Sequence, residues 1–187
     1  MFYTPDLSRP AYDLAYYTEF NSKFAWQATP KQKVTLAYVT ERNCNCFFQL
    51  NTGTLAPEAA GSNLYDPNYR VQGTWTYPAT NRLLLQVGAI EVAGVLKHVL
   101  ADGVGAEVED QIAVLNTATN FWSGGLERGI GFTQNLSTQD YAQRNVTGSM
   151  SYVTGAHNFK LCAMFLRSSR DLTTRLASGV TYAFNGT

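Results

Sequence analysis

From Tyr16 to Gln27 the chain alternates without a break: Tyr16, Thr18, Phe20, Ser22, Phe24 and Trp26 fall on one side of an extended backbone, and Tyr17, Glu19, Asn21, Lys23, Ala25 and Gln27 on the other. Neighbouring side chains of a strand point to opposite faces. Period two sustained over this length predicts one long strand with an apolar and a polar side, spanning about 12 to 28. No helix accommodates such a pattern, and the only stretch apolar enough for one, Ala89 to Ala101, carries Gly94 and several valines that argue against it.

The period repeats along the chain. After the turn Thr29-Pro30-Lys31-Gln32, Val34, Leu36 and Tyr38 oppose Lys33, Thr35, Ala37 and Glu41 in a second strand ending near Cys46. A loop from about 47 to 67 leads to a third, with Val71, Gly73, Trp75 and Tyr77 against Arg70, Gln72, Thr74 and Thr76. The turn Pro78-Ala79-Thr80-Asn81 opens a fourth, in which Leu83, Leu85, Val87 and Ala89 share a side. A long connection follows, from about Gly94 to Asp140, with a short strand pair expected between Asp110 and Ala118. Val146, Met150 and Tyr152 mark a fifth strand, Gly155-Ala156-His157 a turn, and Phe159, Leu161, Ala163 and Phe165 a sixth. A polar link, Arg167 to Arg175, precedes a last run at Val180, Tyr182 and Phe184.

Short connections near 30, 79 and 156 thus alternate with long ones near 55 and 115. In an antiparallel meander that alternation gathers the turns at one rim and the loops at the other, as in outer-membrane barrels. Several runs extend over roughly 12 to 16 residues, against five or six for a typical soluble strand, long enough to cross a bilayer at a tilt. The expected fold is therefore all-β: an antiparallel meander of about seven long strands forming part of a transmembrane β-barrel wall. A soluble β-sandwich or small β-barrel binding a ligand through its loops stays open at this point, as does a passive porin-type barrel.

Charged residues are only 15% of the 187, with 14 basic balancing 14 acidic and no run of either sign, which excludes the electrostatic footprint of a nucleic-acid binder. No stretch has the apolar length of a membrane helix, and the opening MFYTPDLSRP has no leader pattern. No nucleophile elbow, HExxH or P-loop is present, so neither an enzyme nor a cofactor is expected. His98 and His157 are far apart in sequence and the cysteines few, so no metal is expected either. Cys44 and Cys46, one residue apart, are a possible disulfide or two inert thiols, and Cys162 reads as a small space-filler.

Two residue sets follow as candidates. Glu19, Asn21, Lys23, Gln27, Arg70, Gln72 and Thr74 would line a barrel lumen, or a solvated sheet face, since alternation does not choose between them. Trp26, Trp75, Tyr77, Tyr152 and Phe159 fall near the short turns, where an interfacial aromatic girdle would lie.

The phrases WQATPKQKVTL (26 to 36), CNCF (44 to 47), TWTYPATNRLLLQVGA (74 to 89), SYVTGAHNFK (151 to 160), RSSRDLTTR (167 to 175) and GVTYAFN (179 to 185) resemble the barrel of TonB-dependent outer-membrane receptors, specifically the large Oar-like members with a carboxypeptidase-regulatory-like domain. The resemblance spans most of the chain and is weakest from about Val95 to Leu136. It implies a barrel of about 22 strands around a plug, with residues 1 to 187 as one internal wall segment in the bacterial outer membrane. Its implied partners are outer-membrane lipid, the remaining barrel and plug, TonB acting through that plug, and an unknown transported nutrient. The plug, a signal peptide and an aromatic barrel terminus are not readable in this sequence.

Overall fold

A computed structural model describes residues 4, 8, 13–48, 50–101, 111–126, 136–175 and 180–186. Six long strands make one antiparallel sheet: β1 (Leu14–Thr29), β2 (Gln32–Phe48), β3 (Gly61–Pro78), β4 (Leu83–Leu100), β7 (Leu136–Thr154) and β8 (His157–Arg175), adjacent in that order. Three short strands, β5 (Ala113–Asn116), β6 (Phe121–Gly124) and β9 (Thr181–Phe184), form a second sheet in the order β6-β5-β9. No α-helix occurs among the described residues; two 3-10 turns, Leu50–Thr52 and Pro57–Ala59, sit in the β2–β3 loop.

The meander of long strands is as the alternation predicts, with tight turns at one rim and long loops at the other. Each turn has a local cause. Gly155, at φ 55°, takes the left-handed conformation in the two-residue link closing the Thr154–His157 pair. At the β3–β4 turn the Thr80 hydroxyl accepts from the backbone N–H of Arg82 at 3.1 Å and of Leu83 at 3.0 Å.

Four boundaries differ from expectation. The polar stretch Arg167 to Arg175 is not a link but the second half of β8, paired with β7 down to Leu136–Arg175. β3 begins at Gly61 and β4 runs to Leu100, so the loops are shorter than 47–67 and 94–140 suggest. The short strand pair lies later, at 113–116 and 121–124; Asp110 is outside the described residues. The last run, Thr181–Phe184, does not enter the long-strand sheet but pairs parallel with β5, so that sheet has six strands and not about seven. The longer ends of β3, β4 and β8 share one cause: the hydrogen-bonded ladder continues past the point where apolar alternation stops, because a paired neighbour, not side-chain polarity, satisfies the backbone.

Burial divides the molecule. β1 and β8 are exposed on both faces nearly throughout. The buried side chains gather at the long-loop rim, where Leu55, Ala59, Ala113 and Trp122 pack together with Leu115 against them. Backbone bonds hold this cap: Trp122 N–H donates to Thr54 O and Ala56 N–H to Trp122 O, each at 2.8 Å, and Thr117 N–H donates to Phe184 O at 2.8 Å. No second layer covers the long-strand sheet among the described residues.

Candidate functional site

Register fixes which side chains share a face. Phe24, Leu36, Gly73, Ala89, Val146 and Phe165 form one continuous cross-sheet row. The rows beside it carry Trp26, Val34, Trp75 and Val87, then Tyr77, Leu85, Met150 and Leu161. This face is apolar and open to its surroundings: Phe24 is 57% exposed, Leu161 67% and Phe165 68%. All five girdle candidates, Trp26, Trp75, Tyr77, Tyr152 and Phe159, lie on it near the short-turn rim, with Trp75 and Tyr77 stacked at 5.6 Å.

Toward the long-loop rim the same face turns charged. Arg42 Nε donates to Asp66 at 2.9 Å, and Arg144 donates through Nε and a terminal nitrogen to Glu91 at 3.0 and 2.9 Å. Between Phe159 and Arg167 on β8 the apolar band covers eight steps, about 26 Å along the strand at ~3.3 Å per residue. At a tilt of 35–45° that is a band roughly 20 Å tall, near the ~25 Å apolar belt of an outer-membrane barrel.

The opposite face is polar, and the seven lumen candidates lie on it. Asn21, Val39 and Arg70 form one row, Lys23, Ala37 and Gln72 the next, then Ala25, Thr35 and Thr74, and Gln27 opposite Lys33. Thr35 and Thr74 hydroxyls bond to each other across the β2–β3 pair.

One feature of this face escapes sequence reading. Glu19 and Glu41 are directly opposite. The Tyr17 hydroxyl lies 2.7 Å from the Glu41 carboxylate and 2.8 Å from that of Glu19, and with one proton it donates to one at a time. The Asn68 amide N–H donates to Glu41 at 3.3 Å, and the Tyr141 hydroxyl donates to the Asn68 amide oxygen at 2.9 Å. This polar belt reaches from β1 to β7 across β4, because Gly94 stands where any side chain would collide with Asn68 and come within 2.8 Å of the Tyr141 oxygen. A cleft of about 370 Å³ lined by Tyr17, Glu19, Glu41, Asn68, Arg70 and Tyr141 follows it. Its carboxylates, phenols and amide can bind a polar solute or a polar protein surface.

Cys44 and Cys46 are joined, with the Cys44 side chain fully buried where β2 leaves the apolar band. Cys162 fills no interior space: it is exposed on the polar face of β8. Farther out, near the loops, His98 is 8% exposed with its Nδ1 bonded to the Asn63 amide oxygen, and burial lowers its pKa. Among the described residues no three His, Cys, Asp or Glu side chains cluster tightly enough for a metal ion. No protein-family model, curated protein or solved structure matches the chain.

Proposed function

We propose that this chain is a wall segment of a TonB-dependent outer-membrane receptor, part of a transmembrane barrel that takes up a large or scarce nutrient with energy delivered through TonB. The observation that carries the membrane part is the uncovered apolar face, a band roughly 20 Å tall, near the ~25 Å apolar belt of an outer-membrane barrel, with aromatics at one margin and arginines at the other. An all-β sheet of this kind is compatible with a membrane β-barrel. The receptor part rests on the resemblance of the ordered phrases from Trp26 to Asn185.

In this reading the apolar face meets acyl chains, the polar face with its Tyr17–Glu41–Asn68–Tyr141 belt turns to the lumen, and the long-loop cap stands outside the cell. The segment does no chemistry. It supplies scaffold, lumen lining and a platform for the loops, and β1 and β8 pair with barrel strands beyond it. In water without detergent, such a sheet with two unpaired edges associates.

Lipid-borne quenchers test the central point. With the chain reconstituted in vesicles of brominated phosphatidylcholine, Trp26 and Trp75 fluorescence is quenched while Trp122, 8% exposed inside the cap, is spared. Loss of quenching in a Trp26→Phe/Trp75→Phe variant assigns the signal. Unquenched Trp26 and Trp75, or a sharp monomeric profile in plain buffer, overturns the reading.

A further inference from the structure

At the outer margin of the apolar band, β7 and β8 place two arginines directly opposite each other on the apolar face, Arg144 and Arg167. Like charges in that position repel. Arg144 is partly compensated, since both its bonds go to a single oxygen of Glu91. Arg167 has no hydrogen-bond or ion-pair partner among the described residues and is exposed. The adjoining rows offer no carboxylate: one is Val146 with Phe165, the other Ala142 with Ser169. The nearest acids farther out, Asp140 opposite Asp171, are four residues along the strands, roughly 13 Å away and beyond contact.

Resting on the membrane reading above, we infer that the Arg144–Arg167 pair is a binding site for the phosphate of a net-anionic membrane lipid headgroup, with the lipid's acyl chains lying on Val146, Phe165 and the rows below. Charge and geometry both select that ligand. Two facing guanidiniums carry a net positive charge beside Glu91, and their planar forks fit phosphate oxygens bidentately. The site sits at the margin of the apolar band, where a headgroup phosphate lies when its tails fill the band. A phosphate between the arginines removes the repulsion that the bare pair carries.

The full chain in a neutral detergent, offered equal amounts of phosphatidylglycerol and phosphatidylcholine, is passed over a sizing column and its retained lipid counted by mass spectrometry. Wild type is expected to retain the anionic lipid in roughly tenfold preference, one guanidinium being already shared with Glu91. Arg144→Gln/Arg167→Gln abolishes the preference, Arg144→Lys/Arg167→Lys keeps part of it, and Lys160→Gln on the opposite face leaves it unchanged. Inorganic phosphate, having no tails, does not displace the lipid. Equal retention by wild type, an unaltered preference in the Gln variant, or displacement by free phosphate overturns the site. If Trp26 and Trp75 are still quenched in brominated phosphatidylcholine, that failure leaves the membrane reading standing; if they are not, both fall.

Discussion

The long-strand wall and the loop cap are built from one chain by opposite rules. The cap hides small and medium side chains, Ala56, Ala59, Ala60 and Ala113 at 1% exposure, around Trp122. The wall leaves its largest apolar groups, Phe20, Phe24, Phe159 and Phe165, more than half exposed. Water explains the cap, where removing apolar surface drives packing. It does not explain the wall, whose aromatics have nothing packed on them among the described residues. On the membrane reading proposed above the two regions meet different solvents, and the arginines at positions 42, 144 and 167 mark the boundary between them.

The sharpest way to break that comparison is to remove one large side chain from each region. Trp122→Ala empties the middle of the cap core and is expected to cost about 3–5 kcal/mol there. In hydrogen-exchange measurements, β5, β6 and β9 then lose protection while β1 and β8 keep theirs. Phe165→Ala in the wall, with the chain in lipid, costs only the lost transfer of its ring from water to lipid, about 1.5–3 kcal/mol and less than Trp122→Ala, because no protein cavity is left behind. Comparable losses from both substitutions would mean that the wall has a packed layer against it.

Charge sharpens the comparison within the wall alone. Ala163 lies mid-band on the apolar face and Cys162 beside it on the polar face. Ala163→Arg is expected to cost ~2–4 kcal/mol on folding into bilayers, as for arginine at the midplane of a barrel. Cys162→Arg costs well under half as much. Equal costs, read from denaturant titrations in lipid, would erase the distinction between the two faces.

Gly94 gives a smaller effect on the polar face. A Cβ at that position meets the Asn68 amide and lies 2.8 Å from the Tyr141 hydroxyl, so Gly94→Ala displaces both and breaks the belt between β3 and β7. The expected loss is about 1–3 kcal/mol. Tyr141→Phe removes only one bond and costs about 1 kcal/mol. A silent Gly94→Ala in thermal unfolding would show that the belt does not tie these strands together.

The wall was legible wherever one face stays apolar: the runs at Tyr16–Gln27, Leu83–Ala89 and Phe159–Phe165 announce both strand and side. Legibility failed where the ladder outlasts that signal, as at Arg167–Arg175, and where pairing is non-local, as for Thr181–Phe184, which meets β5 far away in sequence. The seven lumen candidates needed only parity. The Glu19–Glu41 contact needed register, and counting back from the Thr29–Gln32 pair sets Glu19 against Arg42. A bulge between Gln27 and Thr29 shifts the pairing by one residue and brings the two carboxylates together. Nothing in the residues marks that bulge except the demand that Phe24 and Leu36 face the same way.

The smallest expected effect lies between the two regions, at His98, outside the apolar band. Burial holds its folded-state pKa below the ordinary 6.5, with Asn63 bonded to Nδ1. The unfolded chain therefore takes up a proton first as pH falls, so the loop ends of β3 and β4 lose stability below about 6.5, and the loss levels off without recovery once the folded pKa is passed. Amide protection around Asn63 and His98 should drop a few-fold between neutral pH and pH 5 while that of Phe24 and Leu36 holds steady. His98→Gln flattens the dependence if the imidazole causes it, and an unchanged slope in that variant would move the cause to another group at the rim.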